Sequence, residues 1–214
     1  IKTMFIERIQ PIFANAEKEA NDYRDELWNE IVNSTCSEED AAVDPSDYVE
    51  FVQDKAIERY EMISLMHYRN IGMWIECLCQ VWEQQICSFV IDEAKRDGIT
   101  YEASDMQKGY GFAKAVFKEH QQTFEQMESW DEMRLLVNVL KHAEGDSEQK
   151  LRKLRPDYFT QDICGEKYDL MSMYHTSLLE STLKIQEQDF IKYYDALVAF
   201  WKALPERMYS NEDI

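Results

Sequence analysis

"DYVEFVQDKAIERYEMISLMHYRNIGMWIECLCQVWEQQICSFVIDEAKRDG", residues 47–98, decides the fold class. Apolar residues recur there at spacings of three and four from Tyr48 to Ile91, the period of a helix with a buried stripe. No proline interrupts the stretch. It therefore reads as one very long helix, or as two joined near Gly72. Ser46 or Asp47 is placed to cap its start, and Asp97-Gly98 stops the pattern where glycine can leave the helix.

Helical signals extend on both sides of this segment. Residues 2–34 read as helix, with Pro11 starting or kinking it. Residues 35–45 form an acidic linker. Ser104 and Gln107 are spaced like a capping box before the next helix. "SWDEMRLLVNVLKHAEG", residues 129–145, follows and ends at Gly145 in the position a C-cap favours. A short helix then runs to Pro156, residues 157–180 read as loop, and 187–208 form a last amphipathic helix. Leu183 and Ile185 alternate with polar neighbours, which places one short β element near 181–185. The expected architecture is all-α, a helical bundle with one long central helix. It is a single domain over 1–214, with an N-terminal helix (1–34), the linker (35–45) and a bundle core (46–208).

Composition agrees. Only 6 Gly and 4 Pro punctuate 214 residues, which argues against a many-stranded β fold. A hydrophobic share of 45% supplies a core without disulfides or structural metal. The 5 cysteines are odd in number and lack a framework spacing, so reduced thiols in a cytoplasm fit best. No apolar run is long enough to span a membrane.

The formal charge is −19. Such a field repels nucleic acid on average, yet leaves room for a local basic groove because screening confines each charge to about 8–10 Å. The charge is also uneven. Residues 36–54 hold seven Asp or Glu and no Lys or Arg, whereas "KLRKLR", residues 150–155, holds four basic residues and no acid.

Several chemistries drop out. Gly109-Tyr110-Gly111 lacks the further glycines and the Gly-Lys-Ser/Thr ending of a nucleotide loop. None of His67, His120, His142 or His175 follows a glutamate at the spacing of a di-iron bundle, and Cys77 and Cys79 point to opposite sides of a helix. No metal or cofactor is expected. What remains is "RLLVNVLKH", residues 134–142. Arg134, Asn138, Lys141 and His142 fall within roughly a 100° arc of one helix. An arginine can grip a phosphate, an amide can orient an oxygen, and an imidazole titrates near neutrality. Metal-independent RNA cleavage needs such groups: a base for the 2′-OH, a cation for the phosphorane and an acid for the leaving oxygen. Lys141, Lys150, Arg152 and Lys153 are candidate phosphate contacts. Tyr68, Arg69 and Asn70 interrupt the apolar long helix beside His67. They are either a buried polar network or a second part of the site.

"MRLLVNVLKHAEG", with "HYRNIGMWIECLCQVWEQQ" before it and "LRKLRPDYF" after it, resembles the motif helix and surroundings of divergent HEPN superfamily proteins over roughly residues 55–205. The family's arginine and histidine are more closely spaced, whereas seven residues separate Arg134 from His142. The resemblance implies a metal-independent endoribonuclease or a degenerate relative, in bacterial defence or a toxin–antitoxin pair. Arg134 and His142 would be catalytic, assisted by Asn138. It also implies a homodimer with a composite cleft, an RNA substrate and, in toxin–antitoxin members, an antitoxin as protein partner. The acidic balance favours a different expectation, a non-catalytic acidic interaction module of helical-bundle type.

Overall fold

In a computed structural model the protein is described over residues 1–34, 45–102, 104, 109–119 and 124–204. The expectations for the acidic linker, the Gln107 half of the Ser104–Gln107 capping box, His120 and the tail beyond 204 fall on residues outside these. The fold is an all-α helical bundle with one long central helix. Its elements are α1 (Lys2–Met4), a π-helical turn (Phe5–Ile9), α2 (Gln10–Phe13), α3 (Ala16–Ser34), α4 (Pro45–Arg96), α5 (Tyr110–Glu119), α6 (Met127–His142) and α7 (Asp146–Leu154). A 3-10 turn (Pro156–Phe159), the hairpin β1 (Gln161–Ile163) and β2 (Glu166–Tyr168), α8 (Leu170–Tyr174) and α9 (Glu187–Ala203) complete it.

The long helix is continuous. Gly72 lies buried inside α4 and no break occurs there. Pro45 is its first residue, a position that needs no N–H partner, so Ser46 and Asp47 sit within the first turn instead of capping it. Its end follows the predicted signal. Gly98 takes φ 74°, its N–H reaches the Lys95 carbonyl at 3.2 Å, and the Ile99 N–H reaches Ala94 at 2.9 Å. These two bonds satisfy carbonyls that the helix end would leave unpaired.

The chain divides into two compact units, Ile1–Asn70 and Ile71–Ile214. In the first, the Gln10 N–H bonds back to the Phe5 carbonyl, which makes the π-helical turn, and Pro11 follows with no N–H to continue the ladder. Glu19 pairs with Arg59, whose guanidinium lies 5.7 Å from the Tyr23 ring, and Phe13 stacks on His67 at 4.9 Å.

The second unit holds a large aromatic core. Trp82 of α4, Trp130 of α6 and Phe200 of α9 are all buried. Ring centroids lie 4.8 Å apart for Trp82–Trp130 and 4.5 Å for Trp130–Phe200. Phe117 of α5 joins at 6.0 Å from Phe200. Trp82 and Trp130 are tilted, while Phe200 meets Trp130 and Phe117 edge to face, and such pairs add to the burial of their large apolar area.

Three local expectations need correction. The short β element is at 161–168, not near 181–185. Leu183 and Ile185 do face the core, but residues 181–185 run as a strap that bonds backbone to backbone with the 3-10 turn, Lys184 N–H to Tyr158 at 2.7 Å. Residues 157–180 are not plain loop, since they hold the 3-10 turn, the hairpin and α8. Gly145 does not end α6. That helix stops at His142 through Ala143, and Gly145 at φ 145° is the N-cap position of α7.

Candidate functional site

Helices α6 and α7 are joined by only three residues, so their facing sides form a groove. It encloses about 470 Å³ and is lined by Asp131, Arg134, Leu135 and Asn138 from α6, with Lys150, Lys153 and Leu154 from α7. Helical phase explains the membership. On α7, Lys150, Lys153 and Leu154 share roughly a 100° arc, while Glu148 and Arg152 project from the opposite side. On α6, Arg134 and Asn138 are one turn apart on the edge beside the apolar stripe.

The wall charges differ in their compensation. Arg134 donates from Nε to Glu83 of α4 at 2.5 Å, and its guanidinium lies 4.7 Å from the Tyr110 ring centroid. Asp131 accepts from Lys114 at 2.5 Å and from the Tyr110 hydroxyl at 3.0 Å. Burial first, then the Asp131 carboxylate, pushes the Tyr110 hydroxyl well above the ordinary phenol range. Lys150 and Lys153 are exposed, and neither forms an ion pair among the described residues. Asn138 is exposed and donates to Ser147 at 3.3 Å, which ties the groove's two helices at their joined end.

Four of the predicted site residues therefore meet: Arg134, Asn138, Lys150 and Lys153. The others lie elsewhere. His142 is exposed on the last turn of α6 and is not among the groove's walls. Lys141 is half-buried toward α4. Its charge reaches the buried Cys79 thiol, which burial pushes up to about 12, with Glu83 raising it and Arg134 and Lys141 opposing. Arg152 faces away, paired with Glu148 and with Asp169 at 2.5 Å, and stacks 4.1 Å from the Phe159 centroid. Tyr68, Arg69 and Asn70 belong to the first unit. Tyr68 is buried, Arg69 is half-buried, and the Asn70 Oδ1 is enclosed without a hydrogen bond among the described residues.

Sequence reasoning missed Glu83, Asp131 and the two leucines of the groove. Glu83 stands 51 residues before Arg134, so only the packing of α4 on α6 reveals it. Leu154 had a readable signal. It is one turn beyond Lys150 and remains 55% exposed, an apolar side chain left open between cations. The arrangement can hold an anion with a directed donor fork, two exposed ammonium groups and an apolar rest for the remainder of the ligand. No known protein family matches the chain, and neither does any curated protein or solved structure.

Proposed function

We propose that the chain is an RNA-binding module of HEPN-like type, whose α6–α7 groove seats single-stranded RNA without being built to cut it. One observation carries this reading. On a chain of formal charge −19, Arg134, Asn138, Lys150 and Lys153 line a single groove in which the two lysines lack carboxylate partners among the described residues. The lysines attract phosphates, Arg134 and Asn138 offer directed donors, and Leu135 with Leu154 gives a base or sugar an apolar contact. His142 stands outside these walls and Arg134 is already bonded to Glu83, which is why binding is favoured over cleavage. A two-fold homodimer, and a place in bacterial defence or a toxin–antitoxin pair, go with the family resemblance.

Fluorescence anisotropy with a short labelled oligouridylate tests the reading. Lys150→Ala/Lys153→Ala should weaken binding about tenfold or more at low salt. Two phosphate contacts should give the wild type a log–log salt slope of about −1.4. Equal binding by both proteins rejects the groove as the RNA site. Preference for polyglutamate over RNA would instead assign an acidic protein partner, as the interaction-module expectation holds.

A second reading, metal-independent cleavage, has one observation in its favour. Asn138 and His142 are one turn apart, both exposed, on the helix that carries Arg134. Labelled RNA incubated with EDTA decides between the two. Cleavage by the wild type that disappears in both His142→Ala and Arg134→Ala would install the nuclease. Equal trace cleavage by all three would mark contamination.

A further inference from the structure

Arg134 differs from the other cations of the groove. Its side chain is 38% exposed, and the side chain of Glu83, whose carboxylate takes its Nε–H at 2.5 Å, is 28% exposed. The Tyr110 ring supports the guanidinium face at 4.7 Å, and Asp131 fixes Tyr110 through its hydroxyl. The group is thus held by edge and by face. It keeps its Nη groups as remaining donors, but its charge is matched. Asp131 is matched in turn by Lys114. With both of these wall charges paired, Lys150 and Lys153 are the ones without a counter-charge among the described residues.

We infer that Glu83 is a positioning and specificity-determining residue for the groove: it fixes Arg134 as a directed, charge-compensated donor and leaves net attraction to Lys150 and Lys153. A ligand must then place an acceptor where the arginine is held, because the arginine adds little long-range pull of its own. Glu83's role so defined rests on the groove being an anion site. A free guanidinium would bind any passing anion, whereas a compensated one discriminates by geometry.

The experiment uses the full chain and the same labelled oligouridylate across a potassium chloride series. Glu83→Gln keeps an acceptor for the Arg134 Nε–H and removes the counter-charge. It should bind roughly threefold tighter at low salt, and its salt slope should steepen by about 0.7 as a third cation engages. Arg134→Gln/Glu83→Gln deletes a neutral pair, so its slope should equal the wild-type slope even if its affinity falls. The double variant also serves should the single one fail to fold. A slope flattened by about 0.7 in the double variant means Arg134 was a full charge contact and overturns the inference. So does an unchanged or shallower slope in Glu83→Gln. These outcomes differ from failure of the groove itself, which appears as wild-type binding in Lys150→Ala/Lys153→Ala. No binding by the wild type removes both.

Discussion

Arg155 donates from Nη1 to Glu132 at 2.7 Å, joining the residue that closes α7 to the first half of α6. The same carboxylate accepts from Lys192 at 2.8 Å and from the Tyr193 hydroxyl at 2.7 Å, both on α9. Tyr158 links the set to Asp189 at 2.6 Å, and Asp189 also accepts the Gln186 N–H that begins α9 at 2.8 Å. One basic segment, residues 150–155, thus divides by helical phase. Lys150 and Lys153 face the groove, while Arg152 and Arg155 hold the structure around it.

Glu132 is only 13% exposed, so neutralising it leaves Arg155 and Lys192 facing each other without their shared anion. Glu132→Gln should therefore cost roughly 3 kcal/mol, near the lower end for breaking a buried pair from one side. Urea denaturation with the midpoint read by tryptophan fluorescence measures it. A loss below about 1 kcal/mol would show that the network is solvated and replaceable.

The same carboxylate sets an acid limit. Burial works to raise the Glu132 pKa, but hydrogen bonds from Lys192, Tyr193 and Arg155 outweigh it and hold the carboxyl below its ordinary value of 4.5. Asp157, bonded by Arg155, and Asp169, where Arg152 and Ser172 overcome burial, are also lowered from 3.8. A depressed carboxylate stabilises the fold fully above its unfolded-state pKa and loses that contribution as pH falls through the folded value. Stability should hold above about pH 4.5 and decline below it. In Glu132→Gln the decline should be shallower, because one of the linked protons is gone. Parallel pH–stability curves for the two proteins would contradict this.

The helices were legible because burial imposes a period on sequence. The three-and-four spacing of 48–91 gave α4, and Asp97-Gly98 gave its end. The hairpin was not legible, since two strands of three residues, mostly exposed, carry no alternation to read. The strap at 181–185 misled for the converse reason. Leu183 and Ile185 alternate inward because they pack on the core, without any strand pairing beside them. In the site, phase on α6 brought Arg134 and Asn138 together, and charge clustering pointed to Lys150 and Lys153. Charge clustering alone did not separate Arg152, which the phase of α7 turns to the other side, and it could not show that Glu83 compensates Arg134, because that depends on a partner from another element.

Ala143 ends α6 at φ 57°, ψ −109°, a conformation that a side chain with a Cβ pays for in strain. Ala143→Gly removes that cost, partly offset by the greater freedom of glycine in the unfolded chain. The expected net gain is roughly 1 kcal/mol, seen as a higher thermal midpoint. A lower midpoint would mean that the Ala143 methyl packs better than its backbone is strained.

Gly72 offers the opposite case inside α4. It is buried, and glycine in a helix interior costs about 1 kcal/mol against alanine through backbone freedom in the unfolded state. A Cβ added there would meet Leu140 Cδ1 and Cδ2 at 3.5 Å and Ile185 Cδ1 at 3.9 Å, ordinary van der Waals contact. Gly72→Ala should therefore stabilise the protein by roughly 1 kcal/mol, while joining α4 more closely to α6 and to the strap before α9. Gly72→Val adds two more methyl groups to a site already filled and should lose about 1–3 kcal/mol instead. Thermal melts of the two variants separate the effects. If Gly72→Ala also destabilises, the close approach of Leu140 requires a bare backbone at this position, and the glycine is there for packing.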